Sequence, residues 1–417
     1  MTVLKKKQWN IFERFGIELE YMIVNKDTLQ VIPRADIALG KDKKGNPLSE
    51  IERGDVGLSN ELVSHVVEFK CASPISSFSL WSKNLQKEIN RVNKELAKIN
   101  AMLLPSATHP FMNPLEEMVI WPYESNEIYT TYDRIFNCKG HGWANLQSTH
   151  LNISFNGDAQ FETLHAAIRI LLPLIPAIAA SSPYLDSKFT QFKDARLETY
   201  RHNQERIPSI AGQIIPEPVF SYAEYDRVIF STIKKDIAPY DPENLLNHFF
   251  LNSRGAIARF DRGAIEIRLV DIQECPAADI AIAELQIAVL KTIASQKWSP
   301  IERQKELSTT SLANILNKTI KVAENAIIDD KSYLLALGIE ESSIKASDVW
   351  KHLYNHCKKF ITPASQKILE KILVRGTLST ALLKKIGERP SRDRLVFEYA
   401  KLAECLAKNT LYEIDHD

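Results

Sequence analysis

The chain has no surplus of either charge, no paired-cysteine spacing and no clean apolar run long enough to cross a bilayer, and each absence removes a class of function. With 52 basic and 52 acidic side chains the formal net charge is zero, so no broadly charged surface is set up for nucleic acid or an anionic membrane. The five cysteines, Cys71, Cys138, Cys275, Cys357 and Cys405, are odd in number, scattered and free of CxxC spacing. That pattern argues against a zinc ribbon or a disulfide framework and makes a reducing cytoplasm the expected compartment. The N-terminus MTVLKKKQW is basic, yet no continuous apolar segment follows it as in a signal peptide. The most membrane-like window, LHAAIRILLPLIPAIAASS, is broken by Arg169, Pro173 and Pro176 and is expected to be a buried helix. There is no GxxxxGKS/T phosphate loop, no HExxH and no GxSxG.

What is present is a long chain, 417 residues, with strands and helices mixed first and helices alone afterwards. Residues 14–33 read as two strands around Asn25-Lys26-Asp27, residues 40–55 as a polar loop, and residues 63–71 as a further alternating run. Phe78, Trp81, Leu85, Ile89, Val92, Leu96 and Ile99 recur at steps of three and four, which predicts an amphipathic helix. Leu146 to Phe155 reads as a strand, residues 221–235 as helical, and AIARF and AIEIRLV as a hairpin turning at Asp261-Arg262-Gly263. A helix follows over Ala277–Ile293. From about residue 300 strand signals vanish, so the expected division is residues 1–300 with the sheet and 301–417 as a helical region packed on or continuous with it. Short connections favour an antiparallel sheet covered by helices, an α+β fold.

Three strand candidates carry polar residues two apart against an apolar face. In GIELEYMIV, Glu18 and Glu20 share one side and Ile17, Leu19 and Tyr21 the other. In QSTHLNIS, His150, Asn152 and Ser154 oppose Leu151 and Ile153; in AIEIRLV, Glu266 and Arg268 oppose Ile265, Ile267 and Leu269. Alone, the glutamate pair reads equally as a wet sheet face and Glu266–Arg268 equally as a cross-strand ion pair, while a lone histidine is more often structural. Together they offer carboxylates, an imidazole, an amide and guanidinium groups. Carboxylates and histidine suit magnesium or manganese, and arginines suit phosphate or a substrate carboxylate. That inventory matches phosphoryl transfer onto an anionic acceptor. Glu61 and Glu68 in NELVSHVVEFK lie seven apart, on opposite faces of any single strand, so Glu61 is expected ahead of the strand that holds Glu68. His352 and His356, four apart before Cys357, read as a surface helix face rather than a metal site.

GIELEYM, NELVSHVVEFK, ATHPF, QSTHLNIS, AASSPY and GAIEIRLVD, in this order, resemble the glutamate–cysteine ligase family, and within it the bacterial carboxylate–amine ligase branch. The resemblance covers roughly residues 14–300. RGTLSTALLKKIGERPSRDRLVFEYAKLAECLAKN is also similar to C-terminal helices of some members. It implies a glutamine-synthetase-like fold: a curved antiparallel sheet with helices on its convex face and divalent metals on its concave face, between ATP phosphates and an acidic substrate. The implied reaction has ATP phosphorylate a carboxylate and an amine attack the acyl phosphate. By resemblance Glu20, Glu61 and Glu68 hold one Mg2+ or Mn2+, and Glu18, His150 and Glu266 another. Arg268 and Arg259 are implied as catalytic, and Arg254, Asn152, Arg196 and Tyr200 as contacts to substrate or ATP phosphate.

The implied partners are small carboxylates and amines, without nucleic acid or membrane, and a homo-oligomer stays open. No segment marks a cysteine pocket, so the amine is open as well; glutamate is the implied donor because several arginines suit a diacid. The competing readings are a non-catalytic member that binds ATP or amino acids in a regulatory or assembly role, and a metal-dependent hydrolase that uses the same acidic face.

Overall fold

The computed structural model describes residues 8–413; most of the basic N-terminal stretch, residues 1–7, lies outside them. Its centre is an antiparallel sheet of eight strands: β1 (Phe15–Asn25), β2 (Glu50–Arg53), β3 (Val56–Asn60), β4 (Val66–Cys71), β5 (Ala101–Leu104), β6 (Ser148–Ser154), and, after a two-residue hairpin of β7 (Tyr184–Leu185) and β8 (Lys188–Phe189), β9 (Ala256–Arg259) and β10 (Ala264–Asp271). The order across the sheet is β2-β3-β4-β1-β6-β10-β9, with β5 paired to the far end of β1. Strands distant in sequence thereby become neighbours, and β4, β1, β6 and β10 lie side by side.

Alternation along β1 sorts its side chains. Ile17, Leu19, Tyr21 and Ile23 are fully buried on one face, beneath the helix Phe78–Leu96, whose stripe Phe78, Trp81, Leu85, Ile89, Val92 and Leu96 is buried in the same cluster. The Ser77 hydroxyl caps that helix by accepting from the Ser79 N–H. The apolar helices Gly157–Leu171 and Pro276–Ala294 complete the layer over this face. On the other face Glu18 and Glu20 are followed by Met22 and Val24, which belong to a second apolar cluster with Leu104, Leu382, Tyr399 and Leu402. The C-terminal helices Leu378–Ile386 and Arg392–Lys408 therefore cover the far half of the polar-face side and leave the acidic half open. The main core runs continuously from Phe15 to Leu411.

Several local expectations change. The second strand after Asn25 shrinks to one bridge, Val24 to Val31, because the Asn25 side chain accepts from the N–H groups of Asp27 and Thr28 and closes a tight turn. The polar loop ends in β2. The membrane-like window is broken after Leu171 into a 3-10 turn and the short helix Pro176–Ala179, since Pro173 and Pro176 remove donors from a continuing helix. Beyond residue 300 one small pair survives, Ile327–Ile328 with Ile344–Lys345. No helix among the described residues is long and apolar enough to cross a membrane.

One irregularity bears on the site. The register of β10 against β6 slips by one between Ile267 and Val270, so that Asp271 pairs with Ser148. Glu266 pairs with Asn152 ahead of the slip. Without this bulge, strict alternation would place Asp271 with Ile265, Ile267 and Leu269 on the apolar face; with it, Asp271 joins the face of Ser148 and His150.

Candidate active site: an acidic row across four strands

Pairing brings the polar residues into one row. Glu18 stands opposite His150 on β6 and Lys70 on β4, Glu20 opposite Glu68, and Glu266 opposite Asn152. Gly16 pairs with Asn152, and a Cβ there would meet the Asn152 Cβ at 3.2 Å. The bare glycine lets the amide lie close and donate to Glu18 Oε1 at 3.1 Å.

A chain of hydrogen bonds sets the His150 tautomer. Ser148 gives both its N–H (2.7 Å) and its hydroxyl proton (3.0 Å) to Glu20 Oε2, so at 2.8 Å its Oγ can only accept from His150 Nε2–H. Nδ1 of the neutral ring then carries the lone pair, and it faces Glu18 Oε2 at 3.1 Å and Glu266 Oε1 at 3.8 Å. One donor atom each from Glu18, His150 and Glu266 lie within 4.8 Å of one another. Three oxygen and nitrogen donors converging in this way suit a hard divalent ion.

Glu20, Glu68 and His150 converge within the same limit. With the proton on Nε2, His150 turns its lone pair toward Glu18 and Glu266 and away from Glu20 and Glu68. Glu61 lies ahead of β4 and lines the same cavity as Glu20 and Arg268, outside both convergent groups.

Charge in the row is unbalanced. Burial, and then Glu266, push the Glu18 carboxyl up to about 7. Glu20 is raised by burial, with Glu68 adding to it; Glu61 by burial and then Glu20 and Glu68; Glu68 by burial and then Glu18. Burial would raise Glu266 too, but Arg268, His150 and Arg259 outweigh it and hold that carboxyl low. Burial and Arg268 lower His150, keeping it neutral. Four carboxyls held above their ordinary range mark a place short of positive charge, which divalent cations would supply.

The arginines part company. Arg268 touches Glu266 Oε1 through Nε at 3.2 Å and lines the cavity. Arg259 is clasped by Asp261 at 3.0 and 3.1 Å and reaches Glu266 only at 4.0 Å. Arg254 lies outside the cavity lining: its buried guanidinium gives Nε and Nη2 to the Glu217 carboxylate at 2.6 Å and Nη1 to the Ser209 carbonyl at 3.1 Å. Arg196 and Tyr200, one turn apart on the helix Ala195–Tyr200, both line the cavity, and the Tyr200 hydroxyl donates to the Ser253 carbonyl at 2.9 Å.

Two residues of the row escaped the sequence reading although strand alternation carries both. Lys70 shares the face of Glu68, and its ammonium contacts Glu68 (3.3 Å), Glu50 (2.9 Å) and the Ser59 hydroxyl (3.0 Å), which in turn donates to Glu68 at 2.7 Å. Ser148 shares the face of His150. His352 and His356 sit on the helix Ala346–Cys357 and bond to backbone carbonyls of Leu337 and His352.

An antiparallel sheet with one helix-covered face and one metal-ready acidic face is the glutamine-synthetase-like class. The chain belongs to glutamate–cysteine ligase family 2, whose model matches residues 14–360. It is 31% identical over 399 residues to an uncharacterized protein of Archaeoglobus fulgidus, covering 95% of this chain and 99% of that one. It is 23% identical over 278 residues to a Bradyrhizobium sp. protein named a candidate glutamate–cysteine ligase 2, covering 64% of this chain and 59% of that one. The fold is similar to glutamate–cysteine ligase from Francisella tularensis, solved in complex with AMP: TM-score 0.56, 11% identity, 95% of this chain and 90% of that chain. Family membership supports a carboxylate–amine ligase, an enzyme that forms a C–N bond.

Proposed function

We propose that the protein is an ATP-dependent carboxylate–amine ligase that uses Mg2+ or Mn2+ and activates a glutamate-like carboxylate. The observation that carries this reading is the convergence of Glu18, His150 and Glu266, with Glu20 and Glu68 beside them, on the open half of the sheet. Glu18, Glu266 and His150 Nδ1 would hold one ion, and Glu20, Glu68 and Glu61 a second; the ions would neutralise the nucleotide phosphates so that an anionic carboxylate can approach.

The chain's own groups do the rest. Asn152 fixes the Glu18 carboxylate through Oε1, and Ser148 fixes both Glu20 and the His150 ring. Arg268, anchored on Glu266, presents a permanent positive charge to the cavity where charge accumulates on the transferring phosphoryl group. A carboxylate oxygen attacks the γ-phosphorus and ADP leaves; the amine nitrogen then attacks the acyl carbon, phosphate leaves and the amine gives up a proton. Leu62, Val66 and Trp143 along the cavity wall keep water from competing with the amine.

The test is release of ADP and phosphate by the purified protein with ATP, Mg2+ and glutamate, against a panel of amines. Turnover is expected only when carboxylate and amine are both present. If no amine stimulates it, the ligase reading falls.

A further inference from the structure

The half of the polar face that the C-terminal helices leave uncovered is crossed by a short helix, Asn126–Phe136. Two of its phenols reach opposite flanks of the acidic row. The Tyr129 hydroxyl accepts from Asn60 Nδ2 at 3.0 Å, and the same Nδ2 donates to the Glu61 carbonyl at 2.9 Å. Asn60 ends β3, which lies beyond β4 on one flank. The Tyr132 hydroxyl donates to the Phe250 carbonyl at 3.1 Å. The Phe250 ring lies 5.9 Å from the guanidinium of Arg259 in β9, the edge strand of the other flank. Between these contacts Tyr132 meets edge-on the Trp143 ring that walls the cavity, with centroids 5.7 Å apart.

The helix is thinly held. Of its 11 residues only Thr131 and Ile135 are buried, whereas the helix Phe78–Leu96 buries Phe78, Trp81, Leu85, Ile89, Val92 and Leu96. A helix this short does not persist in water on propensity alone, so its contacts set its stability, and an element with few buried side chains opens at lower free energy than the core. No side chain caps its first turn, because Ser125 takes φ 67°, ψ 9° instead of the extended backbone from which a serine cap reaches the next amides. Asn137 at the other end is also left-handed, with φ 52°. Further ties lie near the ends, from Asn126 Nδ2 to the Trp121 carbonyl at 2.7 Å and from Arg206 Nη1 to the Ile135 carbonyl at 2.8 Å. The helix is a strap anchored at both ends and latched between them by two phenols.

We infer that the helix Asn126–Phe136 is a gate over the acidic row, held shut by Tyr129 and Tyr132, and that ligands enter and leave when both phenols let go. The two tyrosines are positioning residues. Because Asn60 joins Tyr129 to the Glu61 carbonyl, shutting the gate also fixes the backbone that carries Glu61. The gate sets how fast the row exchanges its ligands and does not depend on the ligase reading for what those ligands are.

Hydrogen–deuterium exchange of the whole ligand-free protein reads the gate directly. Amides of residues 129–136 should exchange faster than those of Phe78–Leu96 in the wild type. Tyr129→Phe and Tyr132→Phe keep the rings and drop one hydrogen bond each, so each should speed exchange of residues 129–136 about fivefold, and the pair about 25-fold, with Phe78–Leu96 unchanged. Unchanged exchange in both variants, or an equal rise in both helices, overturns the inference. A second readout follows a ligand. Excess chelator should strip bound Mn2+ about fivefold faster from either variant while the equilibrium affinity stays within about twofold, since a gate alters entry and exit alike. Faster stripping with a matching loss of affinity would show that the tyrosines stabilise the ligands instead of gating them, and overturns the inference as well. If Mn2+ does not bind the wild type, the metal assignment fails and the exchange rates alone decide the gate. The ligase reading fails separately, on absent ATP turnover.

Discussion

Replacing Glu18 by Gln should make the metal-free protein more stable while it disables the metal site. The Glu18 carboxyl is pushed up to about 7 from an ordinary 4.5 by burial and by Glu266. A folded value above the unfolded one means that this group favours folding below pH 4.5 and that the contribution is lost as pH rises through about 7. At ~1.4 kcal/mol per pH unit, holding Glu18 ionised at pH 8 costs the folded state about 3 kcal/mol. Glutamine keeps the shape and the oxygen that accepts from Asn152 and removes the charge. In a chelating buffer at pH 8, calorimetric unfolding should therefore show Glu18→Gln more stable than wild type by about 2 kcal/mol after some loss of hydrogen-bond strength. With Mn2+ the order should reverse, because the ion stabilises the folded wild type by mass action and binds the variant weakly. A variant less stable than wild type in chelator, or equal Mn2+ stabilisation of both proteins, would refute the claim that the row is a charge-strained site awaiting cations.

Lys70→Met removes the countercharge beside Glu68 and should tighten Mn2+ binding about tenfold by direct titration; weaker binding would show that Lys70 chiefly orders the ligands. Arg254→Met should lower stability by about 3 kcal/mol through loss of the Glu217 pair and leave the KM for nucleotide and amino acid unchanged in the folded fraction, whereas a raised KM would return Arg254 to the site. His165 is buried among Phe161, Phe220 and Tyr225, and burial, then Arg169, lowers its pKa to about 3. The unfolded chain therefore takes up this proton first, and stability is lost as pH falls below about 6.5. At pH 5, His165→Phe should recover about 2 kcal/mol relative to its difference from wild type at pH 8; equal acid sensitivity would contradict a neutral His165.

The sheet and the face of each strand were legible because alternation is a local property: Glu18 and Glu20, His150 and Asn152, and Glu266 and Arg268 separate from their apolar neighbours within five residues of sequence. Strand order was not local. Nothing in QSTHLNIS says that it lies between β1 and β10; the family resemblance supplied the curved antiparallel sheet and the ligand sets, but not that order. The partner of Arg254 was invisible for the same reason: Glu217 lies 37 residues upstream, so the charge looked available. Arg196 was placed near a substrate only through the resemblance, and its buried ion pair with Asp271 was invisible, since alternation assigns that carboxylate to the wrong face.

The slip in β10 sets a rule for how this chain can change length. A residue gained or lost at the hairpin tip, residues 260–263, disturbs the Phe260 contacts with Phe155 and Phe161 and the Arg259–Asp261 clasp but leaves the pairing of Glu266 with Asn152 in place. A residue lost between Ile267 and Val270 restores perfect alternation with Asp271 still opposite Ser148, but it leaves one residue where Arg268 and Leu269 now stand, so either the cavity loses its guanidinium or the apolar core loses a leucine. Descendants of this sequence can therefore change length at the tip at a lower cost to the site than within β10, where the imperfection in its regular pairing must be inherited intact.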